Sequence, residues 1–340
     1  MRTKLLAILT ITLLVVSNTG FAQKRTAGAI AFYNVENLFD TVDSPDTEDS
    51  EFTPTGKNAW TVERYGEKLD NMAKVLSQVA NGADIIGLAE VENLSVLIDL
   101  VAQPALEKMD YQIIHQDSPD YRGIDVGLLY RPGRFKILNY RAIPFPQTEE
   151  TNFRTRDILH VTGLYLGDTL HVFVNHWPSR RGGKADKRIL AGQQLRKEVD
   201  VLLNKNPQAK IVVMGDLNDD PINASVKDVL KAERKKEKVD LKGIYNPYID
   251  MFKKEGLGTT AYRDAWSLFD QIMLTKPFLN KDYSNWTYYR AGIFNDNYLV
   301  NKKGRYAGYP LRSFADGGFT NGFSDHFPVY VYLIKEVTED

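Results

Sequence analysis

The sequence of 340 residues contains no cysteine. The lack of thiols excludes disulfide bonds, thiolate metal sites and cysteine nucleophiles, and it excludes lipid attachment through an N-terminal cysteine. Long apolar runs are missing beyond the first 22 residues, so we expect no stable membrane insertion. The formal net charge is only −1. This small charge argues against a uniformly basic coat for nucleic acid but leaves room for a local basic groove.

The first 22 residues have the pattern of a secretory signal peptide. Arg2 and Lys4 form a short basic start, residues 5–16 are apolar, and the polar stretch that follows ends at Ala22. The apolar run is shorter than the roughly 20 residues that a membrane span needs, which disfavours a permanent anchor. We therefore expect residues 1–22 to be cleaved and the mature protein to be periplasmic or secreted.

Apolar and aromatic residues make up 43% of the sequence, enough for a sizeable core. Short apolar runs alternate with amphipathic stretches, which is typical of layered α/β proteins. The predicted helices cover residues 63–79, 94–106 and 184–203, and the principal predicted strands cover residues 29–34, 84–89, 170–175, 210–215, 269–274 and 329–333. There is no internal repeat and no low-complexity linker, so we expect one continuous catalytic domain over residues 24–340 that is a monomer.

Polar side chains stand at the carboxyl ends of several predicted strands. They are Asn34 and Glu36, Glu90, Asn175 and His176, and Asp216 and Asn218. Strand ends are where separate segments of an α/β protein converge on one pocket. Carboxylate and amide oxygens suit Mg²⁺, which binds through one or two carboxylates plus substrate phosphate oxygens. Any one of these residues alone could instead cap a turn, but the recurrence of the same signature favours a shared site.

A sharper signal precedes the last predicted strand, in Ser324-Asp325-His326. An adjacent Asp and His can point in different directions, so that one ligates a metal while the other meets the phosphate or a water. Histidine titrates near neutral pH and suits proton transfer, particularly with a carboxylate behind it. Asp270 is a candidate for that carboxylate, because a charge between apolar strand residues is costly without a partner.

Taken together, these motifs resemble the endonuclease/exonuclease/phosphatase superfamily, which includes pancreatic-type deoxyribonucleases, AP endonucleases, sphingomyelinases and inositol polyphosphate 5-phosphatases. The matching motifs, in order, are Asn34-Val35-Glu36, Glu90, Asn175-His176, Gly215-Asp216-Leu217-Asn218, Phe269-Asp270-Gln271-Ile272 and Ser324-Asp325-His326. Each is weak alone, but six in order across nearly the whole mature chain are specific. The resemblance implies a four-layer α/β sandwich, in which two packed mixed sheets are flanked by helices. It also implies metal-dependent phosphoester hydrolysis without a covalent intermediate.

The resemblance also implies a role for each matching residue. Mg²⁺, or alternatively Mn²⁺ or Ca²⁺, would be held by Glu90 as the principal ligand, with Asn34, Asp325 and Glu36 near it. Asp216 and Asn218 would position the attacking water and the phosphate, His326 would be oriented by Asp270, and His176 would bind the scissile phosphate or protonate the leaving oxygen. The resemblance leaves open whether Asp216 or His326 takes the proton of the water.

Two further matches are softer. Asp125 lies where deoxyribonuclease-like members place a carboxylate behind the first catalytic histidine, so it could orient His176; the alternative is an ordinary loop-to-strand residue. Arg156 resembles a phosphate-contacting arginine, and its fork geometry suits that role. The alternative for Arg156 is a surface ion pair with Asp157 or another neighbour.

The substrate is expected to be a phosphoester, with nucleic acid favoured. Asn175, Trp177 and Arg180 lie in or beside a loop that combines an aromatic ring, cations and glycines, which could hold a nucleic-acid backbone and stack on a base. The same loop could grip a small phosphorylated molecule or a lipid headgroup. The Tyr- and Arg-rich segment 288–318 is expected to be a second substrate-facing loop. The alternatives to a nuclease are a phosphatase or lipid phosphodiesterase on the same fold, and a non-catalytic binding protein.

Overall fold

Helices and strands alternate along the chain in the computed structural model, which describes residues 24–146, 153–315 and 318–337. The expected signal peptide, residues 1–22, lies outside the described residues. The α-helices are α1 (Val62–Gln78), α2 (Leu94–Val101), α3 (Ala185–Lys205) and α4 (Tyr248–Glu255). In the part of the chain that the structure describes, no helix combines the length and the apolar composition needed to cross a bilayer.

The strands are numbered in chain order. They are β1 (Arg25–Leu38), β2 (Ile85–Val91), β3 (Gln112–His115), β4 (Asp125–Tyr130), β5 (Phe135–Ile143), β6 (Ile158–Tyr165), β7 (Asp168–His176), β8 (Lys210–Asp216), β9 (Ala232–Glu233), β10 (Ile244–Tyr245), β11 (Thr260–Tyr262), β12 (Ala265–Ser267), β13 (Asp270–Thr275), β14 (Thr287–Ile293), β15 (Phe314–Ala315), β16 (Gly318–Phe319) and β17 (Val329–Glu336). One sheet has the order β14-β17-β1-β2-β4-β3, and the other has the order β5-β6-β7-β8-β13-β10-β9. β11 pairs with β12 and β15 pairs with β16 as two small hairpins.

Both large sheets are mixed, and each has a parallel pair near its middle. β1 and β2 are parallel in the six-stranded sheet, and β7 and β8 are parallel in the seven-stranded sheet. The carboxyl ends of a parallel pair lie at the same edge of the sheet. The polar residues that follow these strands are therefore brought together in pairs, which is the geometric basis of the site described below.

The two sheets pack face to face through apolar side chains. Phe32 from β1 and Met214 from β8 belong to the same fully buried cluster between the sheets. α1 and α2 cover the outer face of the six-stranded sheet, where Met72 packs in a second cluster. α3 covers the outer face of the other sheet with Leu195 and Val199. These are the four layers of an α/β sandwich, so the predicted fold class is confirmed.

Most predicted elements are present, with shifted bounds. The predicted helix 63–79 is α1, which begins after Thr61, whose side chain accepts a hydrogen bond from the Arg64 amide. One prediction was wrong. The segment 288–318 contains strand residues of β14 and so is not all loop.

Candidate active site

Asp216 lies at the centre of the candidate active site. It is the last residue of β8, in register with His176 on one neighbouring strand and with Asp270 on the other. Its Oδ2 atom is 3.7 Å from His176 Nε2 and 3.9 Å from His326 Nε2. Its Oδ1 atom accepts a hydrogen bond of 2.9 Å from the backbone N–H of Asn218. The register of three strands thus assembles groups that are far apart in the sequence.

Gly215 allows β7 and β8 to approach closely just before the site. Its φ is 157°, and a Cβ atom at this position would lie 2.2 Å from the carbonyl oxygen of Asn175. Any larger residue would therefore push the two strands apart at the point where His176 and Asp216 must face each other. This close approach is the physical reason for the glycine that opens the Gly215–Asn218 motif.

Irregular backbone aims Asn34 and Glu90 at Asp216. The pairing of β1 with β2 shifts just after Asn34, and the pairing of β2 with β4 shifts on either side of Glu90, which has a φ of 64°. Such bulges re-aim a side chain out of the regular alternation of a strand. Asn34 Nδ2 donates to Asp216 Oδ2 at 3.0 Å and to Glu90 Oε1 at 3.3 Å. The two carboxylates therefore meet around one amide nitrogen.

His326 is held by Asp270, as the sequence led us to expect. Its Nδ1 atom is 2.6 Å from Asp270 Oδ2, and the Asp270 side chain is fully buried. The backbone before the ring is fixed as well, because Ser324 Oγ accepts from the His326 amide at 3.1 Å and donates to the Asn34 carbonyl at 2.7 Å. The imidazole is thus oriented with Nε2 toward Asp216.

The surrounding charges favour a protonated His326. Burial alone would lower the pKa of His326, but the negative charges of Asp270 and Asp216 outweigh it and raise this pKa well above its ordinary value. Burial raises the pKa of Asp216 to about 6, and the His326 charge opposes that rise. Near neutral pH the pair therefore consists of an imidazolium beside a carboxylate.

His176 differs in charge from His326. Burial, followed by the positive charges of Arg156 and Arg122, lowers the pKa of His176 well below its ordinary value. Its Nε2 atom lies 3.8 Å from Glu90 Oε1. Its buried Nδ1 atom has no hydrogen-bond partner among the residues that the structure describes. A neutral imidazole can donate from one ring nitrogen and accept at the other, so the site contains one neutral and one charged histidine.

The residues around Glu90 fit a hard divalent cation. The carboxylates of Glu90 and Asp216 contact the same Asn34 amide and lie within 3.8 Å of the same His176 nitrogen. Convergent carboxylates repel each other, and a bound cation removes that repulsion. Asp216, Asp270 and His326 also converge closely enough to hold an ion. The Glu90 side is the better match, because His326 Nδ1 is already bonded to Asp270.

Glu36, which was predicted near the metal, instead contacts Arg312. Arg312 Nε donates to Glu36 Oε1 at 3.0 Å, and the Ser313 amide donates to Oε2 at 2.6 Å. Burial and then the negative charge of Asp325 raise the pKa of Glu36 to about 7. Both oxygens accept hydrogen bonds, and the role of Glu36 near a metal stays a prediction. Arg312 Nη2 also lies 3.2 Å from Asp325 Oδ2, and Asp325, at the rim, is 3.9 Å from His326 Nε2.

Lys68 supports this wall of the site, and sequence reasoning missed both it and Arg312. Lys68 is fully buried, and its Nζ donates to Ser313 Oγ and to the Phe323 carbonyl, each at 2.5 Å. Burial lowers the pKa of Lys68 to about 8, and the charge of Glu36 opposes this. The sequence carries a signal for Lys68, since it lies four residues before Met72 on the buried face of α1.

Asp125 does not contact His176, so the prediction that it orients this histidine was wrong. Asp125 Oδ2 is 3.0 Å from His115 Nε2, and Asp125 Oδ1 accepts from the Ser118 amide at 2.8 Å. Asp125 is at the start of β4, where its side chain is directed to the preceding loop. His176 Nδ1 is consequently left without the expected carboxylate.

Arg156 lies behind His176. Its Nη1 donates to Asp120 at 2.8 Å and its Nη2 donates to the Trp177 carbonyl at 2.7 Å. The alternative of a surface ion pair with Asp157 was wrong, since Arg156 is buried and its acidic partner is Asp120. The positive charge of Arg156 lowers the pKa of His176, and its contact with a phosphate stays a prediction.

The loop after β7 does not present the groups that were expected to bind substrate. Trp177 is buried and its Nε1 donates to Asn175 Oδ1 at 3.2 Å, while Asn175 Nδ2 donates to the Met214 carbonyl at 3.0 Å. Neither side chain is free to meet a base, so these two predictions were wrong. Arg180 donates to the Asn218 carbonyl at 3.0 Å and to Asp220 at 2.9 Å. The cation that was expected to bind substrate therefore holds the neighbouring loop.

Asn218 follows the same loop with a left-handed backbone, φ 49°. Its Nδ2 donates to the Trp177 carbonyl at 3.0 Å, and its amide donates to Asp216. Asn218 thus joins Asp216 to the loop after β7. Its role in positioning water or phosphate stays a prediction.

Solved structures share this fold at low identity. D. rerio TDP2 complexed with single strand DNA product is 17% identical with a TM-score of 0.55, over 91% of this chain and 99% of that chain. An endonuclease/exonuclease/phosphatase family protein from Bacteroides thetaiotaomicron is 18% identical with a TM-score of 0.57, over 93% and 97%. The Bacteroides thetaiotaomicron mannosyl-6-phosphatase Bt3783 is 18% identical with a TM-score of 0.55, over 90% and 99%. These likenesses support the sandwich fold.

A search of curated proteins finds no match. The family model described as "Endonuclease/Exonuclease/phosphatase family" matches residues 29–335. This range contains every residue of the site described above, and the family indicates a phosphoester hydrolase that depends on a divalent metal. The chain therefore belongs to the endonuclease/exonuclease/phosphatase family.

Proposed function

We propose that this chain is an exported, divalent-metal-dependent phosphodiesterase that cleaves nucleic acid. The observation that carries the proposal is the convergence of His176, His326 and Glu90 on Asp216. A carboxylate, a neutral imidazole and a charged imidazole around one point are the groups that hydrolysis of a phosphodiester by water requires.

In the proposed reaction, Asp216 accepts the proton of the attacking water. Its pKa of about 6 leaves it ionised but basic near neutral pH, which suits a general base. His326 is the weaker candidate for this step, because the charges of Asp270 and Asp216 keep it protonated. His326 instead stabilises the negative charge that builds on the phosphate oxygens. A divalent ion, when bound by Glu90 with Asn34, would polarise the phosphate and help to neutralise this charge.

His176 is proposed to act at the leaving oxygen. The ring is buried and neutral, and its Nε2 faces Glu90 and Asp216 rather than the protein interior. A neutral imidazole that carries its proton on Nε2 can donate a hydrogen bond to the leaving oxygen and stabilise its developing charge without giving up that proton. The leaving oxygen takes its proton from solvent, so the products are a phosphomonoester and an alcohol, with the proton of the attacking water on Asp216.

Nucleic acid is the preferred substrate, with a phosphomonoester as the second candidate. Arg263, Arg305 and Arg312 line a cavity beside Asp325 together with tyrosines, a combination that binds nucleotides. The similar D. rerio TDP2 structure is a complex with single strand DNA product. The second candidate is favoured by the cavity volume of about 310 Å³, which is small for a long strand and suits one ring. The mannosyl-6-phosphatase is titled as acting on such a compound.

Export completes the proposal and rests on the sequence pattern of residues 1–22. We expect mass spectrometry of the protein recovered from the periplasm or the medium to give an N-terminus at Gln23. A cytoplasmic protein that retains Met1 would remove the export part of the proposal and leave the catalytic part intact.

We also expect the purified protein to be a monomer by light scattering.

The test of the activity is hydrolysis by the purified chain with Mg²⁺, Mn²⁺ or Ca²⁺. The substrates are supercoiled plasmid, single-stranded DNA, RNA, sphingomyelin vesicles, inositol polyphosphates and sugar phosphates. We expect the nucleic acids to be cut faster than the others. A clear preference for a sugar phosphate or a lipid would replace the nuclease by the second candidate, and inactivity on all substrates with all metals would contradict the hydrolase reading.

Matched variants assign any activity to this site. Asp216→Asn keeps the size of the side chain but removes the base, so we expect a loss of about 10³-fold in kcat. Asp228→Asn is the control, because Asp228 is exposed and forms a salt bridge of 3.6 Å with the exposed Lys227, away from the site. If both variants retain full activity, a different enzyme in the preparation is responsible.

A further inference from the structure

A cavity of about 310 Å³ opens beside the active site, and we call it the Arg–Tyr cavity. Its lining residues are Ala261, Tyr262, Arg263, Asp264, Asn301, Arg305, Tyr306, Tyr309, Pro310, Arg312, Ala315 and Asp325. Arg312 and Asp325 form the wall shared with the active site, since Asp325 Oδ1 is 3.9 Å from His326 Nε2. A group attached to a phosphate at the active site can therefore extend into this cavity.

Two arginines in the cavity are available to an anion. Among residues 24–146, 153–315 and 318–337, neither Arg263 nor Arg305 forms an ion pair, and their cation–π partners are the neighbouring rings of Tyr262 and Tyr306. The only acidic side chains in the lining are already engaged: Asp264 accepts from Tyr309 Oη at 2.7 Å, and Asp325 pairs with Arg312. The cavity thus combines unneutralised guanidinium groups with few free acceptors.

Tyrosine rings supply the flat walls of the cavity. Tyr262 is 72% exposed and Tyr306 is 40% exposed, so both rings are accessible from solvent. The Tyr306 and Tyr309 rings lie 5.7 Å apart, and Tyr309 packs on Trp266 with 5.8 Å between centroids. Rings that are supported from behind and exposed in front can stack on a planar group.

The hairpin turn that carries Arg263 is strained. The β11–β12 hairpin closes with Arg263 and Asp264, at φ values of 50° and 66°. Such two-residue turns favour glycine or asparagine, because other side chains are strained in the left-handed region. The turn is pinned from outside, since the Asp264 amide donates to Tyr309 Oη at 2.6 Å. Arginine is thus held where glycine would fit better, which indicates a use for its side chain.

We propose that the Arg–Tyr cavity binds the nucleotide next to the scissile phosphate, with its base against the tyrosines and a second phosphate on Arg263 and Arg305. This inference rests on the proposed function and names the substrate unit that the same site selects. Among the residues that the structure describes, the lining contains no Leu, Ile, Val, Met or Phe side chain, which disfavours a long lipid tail. A monophosphorylated sugar would leave the two free guanidinium groups without a second anion.

The test is calorimetric binding of thymidine 3′,5′-bisphosphate to the full chain. We expect Arg263→Gly and Arg305→Ala each to weaken binding by about tenfold, because each removes a charge-assisted contact. Lys303→Ala is the control, since Lys303 is exposed next to the cavity but does not line it, and it should change the affinity by less than about twofold. Arg263→Gly also relieves the left-handed strain, so its thermal midpoint should not fall. Weaker binding without loss of stability separates a ligand contact from a structural role.

A kinetic arm distinguishes this inference from the proposed function. With thymidine 3′-phosphate 5′-(p-nitrophenyl phosphate), which carries the second phosphate, kcat/KM should fall about tenfold in both variants, whereas with bis(p-nitrophenyl) phosphate, which has neither a nucleoside nor a second phosphate, it should not change. If the wild-type chain hydrolyses neither ester but binds the bisphosphate through Arg263 and Arg305, the proposed function fails and the cavity inference stands. Equal bisphosphate affinity in the wild type and both variants overturns the inference. Lost affinity for glucose 1,6-bisphosphate with unchanged affinity for the nucleotide overturns it as well.

Discussion

The active site and the Arg–Tyr cavity adjoin at Asp325 but are built in opposite ways. The active site stands on strand ends: Asp216 and Asp270 occupy paired positions on β8 and β13, and both are almost fully buried. The cavity is built from a short hairpin and from the loop that follows β14, and its rings are exposed. Groups on a rigid sheet keep the distances that a reaction needs, while loops can change the bound molecule without disturbing them. Under the proposed function, the difference teaches that reaction class and substrate choice reside in separate parts of this chain.

The largest effect is expected from His326→Gln. Glutamine can keep a hydrogen bond to Asp270 but carries no positive charge, so kcat should fall by about 10³-fold for every substrate. Equal losses on a nucleotide ester and on bis(p-nitrophenyl) phosphate would sharpen the comparison, because the active site acts on the phosphate alone. His171→Gln is the control, because His171 lies on β7 five residues before His176 and is not part of the active site. A loss confined to the nucleotide ester would mean that His326 belongs to substrate choice.

Asp270→Asn should cost less, about 10²-fold in kcat. The charge of Asp270 raises the pKa of His326, so its removal should let the imidazolium lose its proton at lower pH. Activity that requires this proton is lost as the pH rises through the pKa, so the alkaline limb of the pH–rate profile should move to lower pH in the variant. The measurement is kcat against pH for both proteins. An unmoved alkaline limb would show that Asp270 does not set the charge of His326.

Lys68→Met should disturb the connection between the two regions. Lys68 donates to the Ser313 hydroxyl and the Phe323 carbonyl, and its loss leaves buried acceptors without a donor. We expect the free energy of unfolding to fall by about 2 kcal/mol, measured by urea denaturation with an unchanged m-value. Gln78→Met, at an exposed position on the same helix, should change it by less than about 0.5 kcal/mol. Equal effects of the two substitutions would remove Lys68 from the account.

The smallest effect concerns His160, which belongs to neither region. Burial, and then His171 and Arg141, lower the pKa of His160 from 6.5 to about 3. Between these values the unfolded chain binds a proton that the folded chain does not, so stability falls as the pH drops. His160→Phe keeps the stacking on Phe173 and removes this pH-dependent loss of stability. On acidification, the thermal midpoint of the variant should therefore fall by about 2–4 °C less than that of the wild type, and kcat should be unchanged. An identical fall of the midpoint in both proteins would contradict this.

The sequence was informative wherever an apolar run ends in a polar residue. Asp270 was readable because a charge between apolar strand residues needs a partner, and the structure has it bonded to His326. The sandwich followed from alternating runs together with the family motifs. Lys68 was readable too, from its place on the buried stripe of α1, and it was overlooked.

Side-chain direction was where sequence reasoning failed. Asn175 and His176 are adjacent on β7, but the Asn175 side chain points into the protein and the His176 side chain points toward Asp216. A short sequence motif does not show which of two adjacent strand residues faces the site. Trp177 and Arg180 looked like loop residues free to bind, but the Trp177 ring donates to Asn175 on β7 and Arg180 donates to the loop after β8. The Arg–Tyr cavity was equally hidden, because it joins residues 261–264 to residues 301–315 through tertiary contacts alone.

The central claim is that the strand-built site performs a metal-dependent hydrolysis in which Glu90 holds the divalent ion. The most direct measurement is the rate of bis(p-nitrophenyl) phosphate hydrolysis against Mg²⁺ concentration, after EDTA treatment, for the wild type and Glu90→Gln. The account predicts no rate without metal, full recovery in the wild type, and at least about a tenfold higher Mg²⁺ requirement in the variant. A rate that persists in EDTA, or identical Mg²⁺ curves for the two proteins, would contradict it.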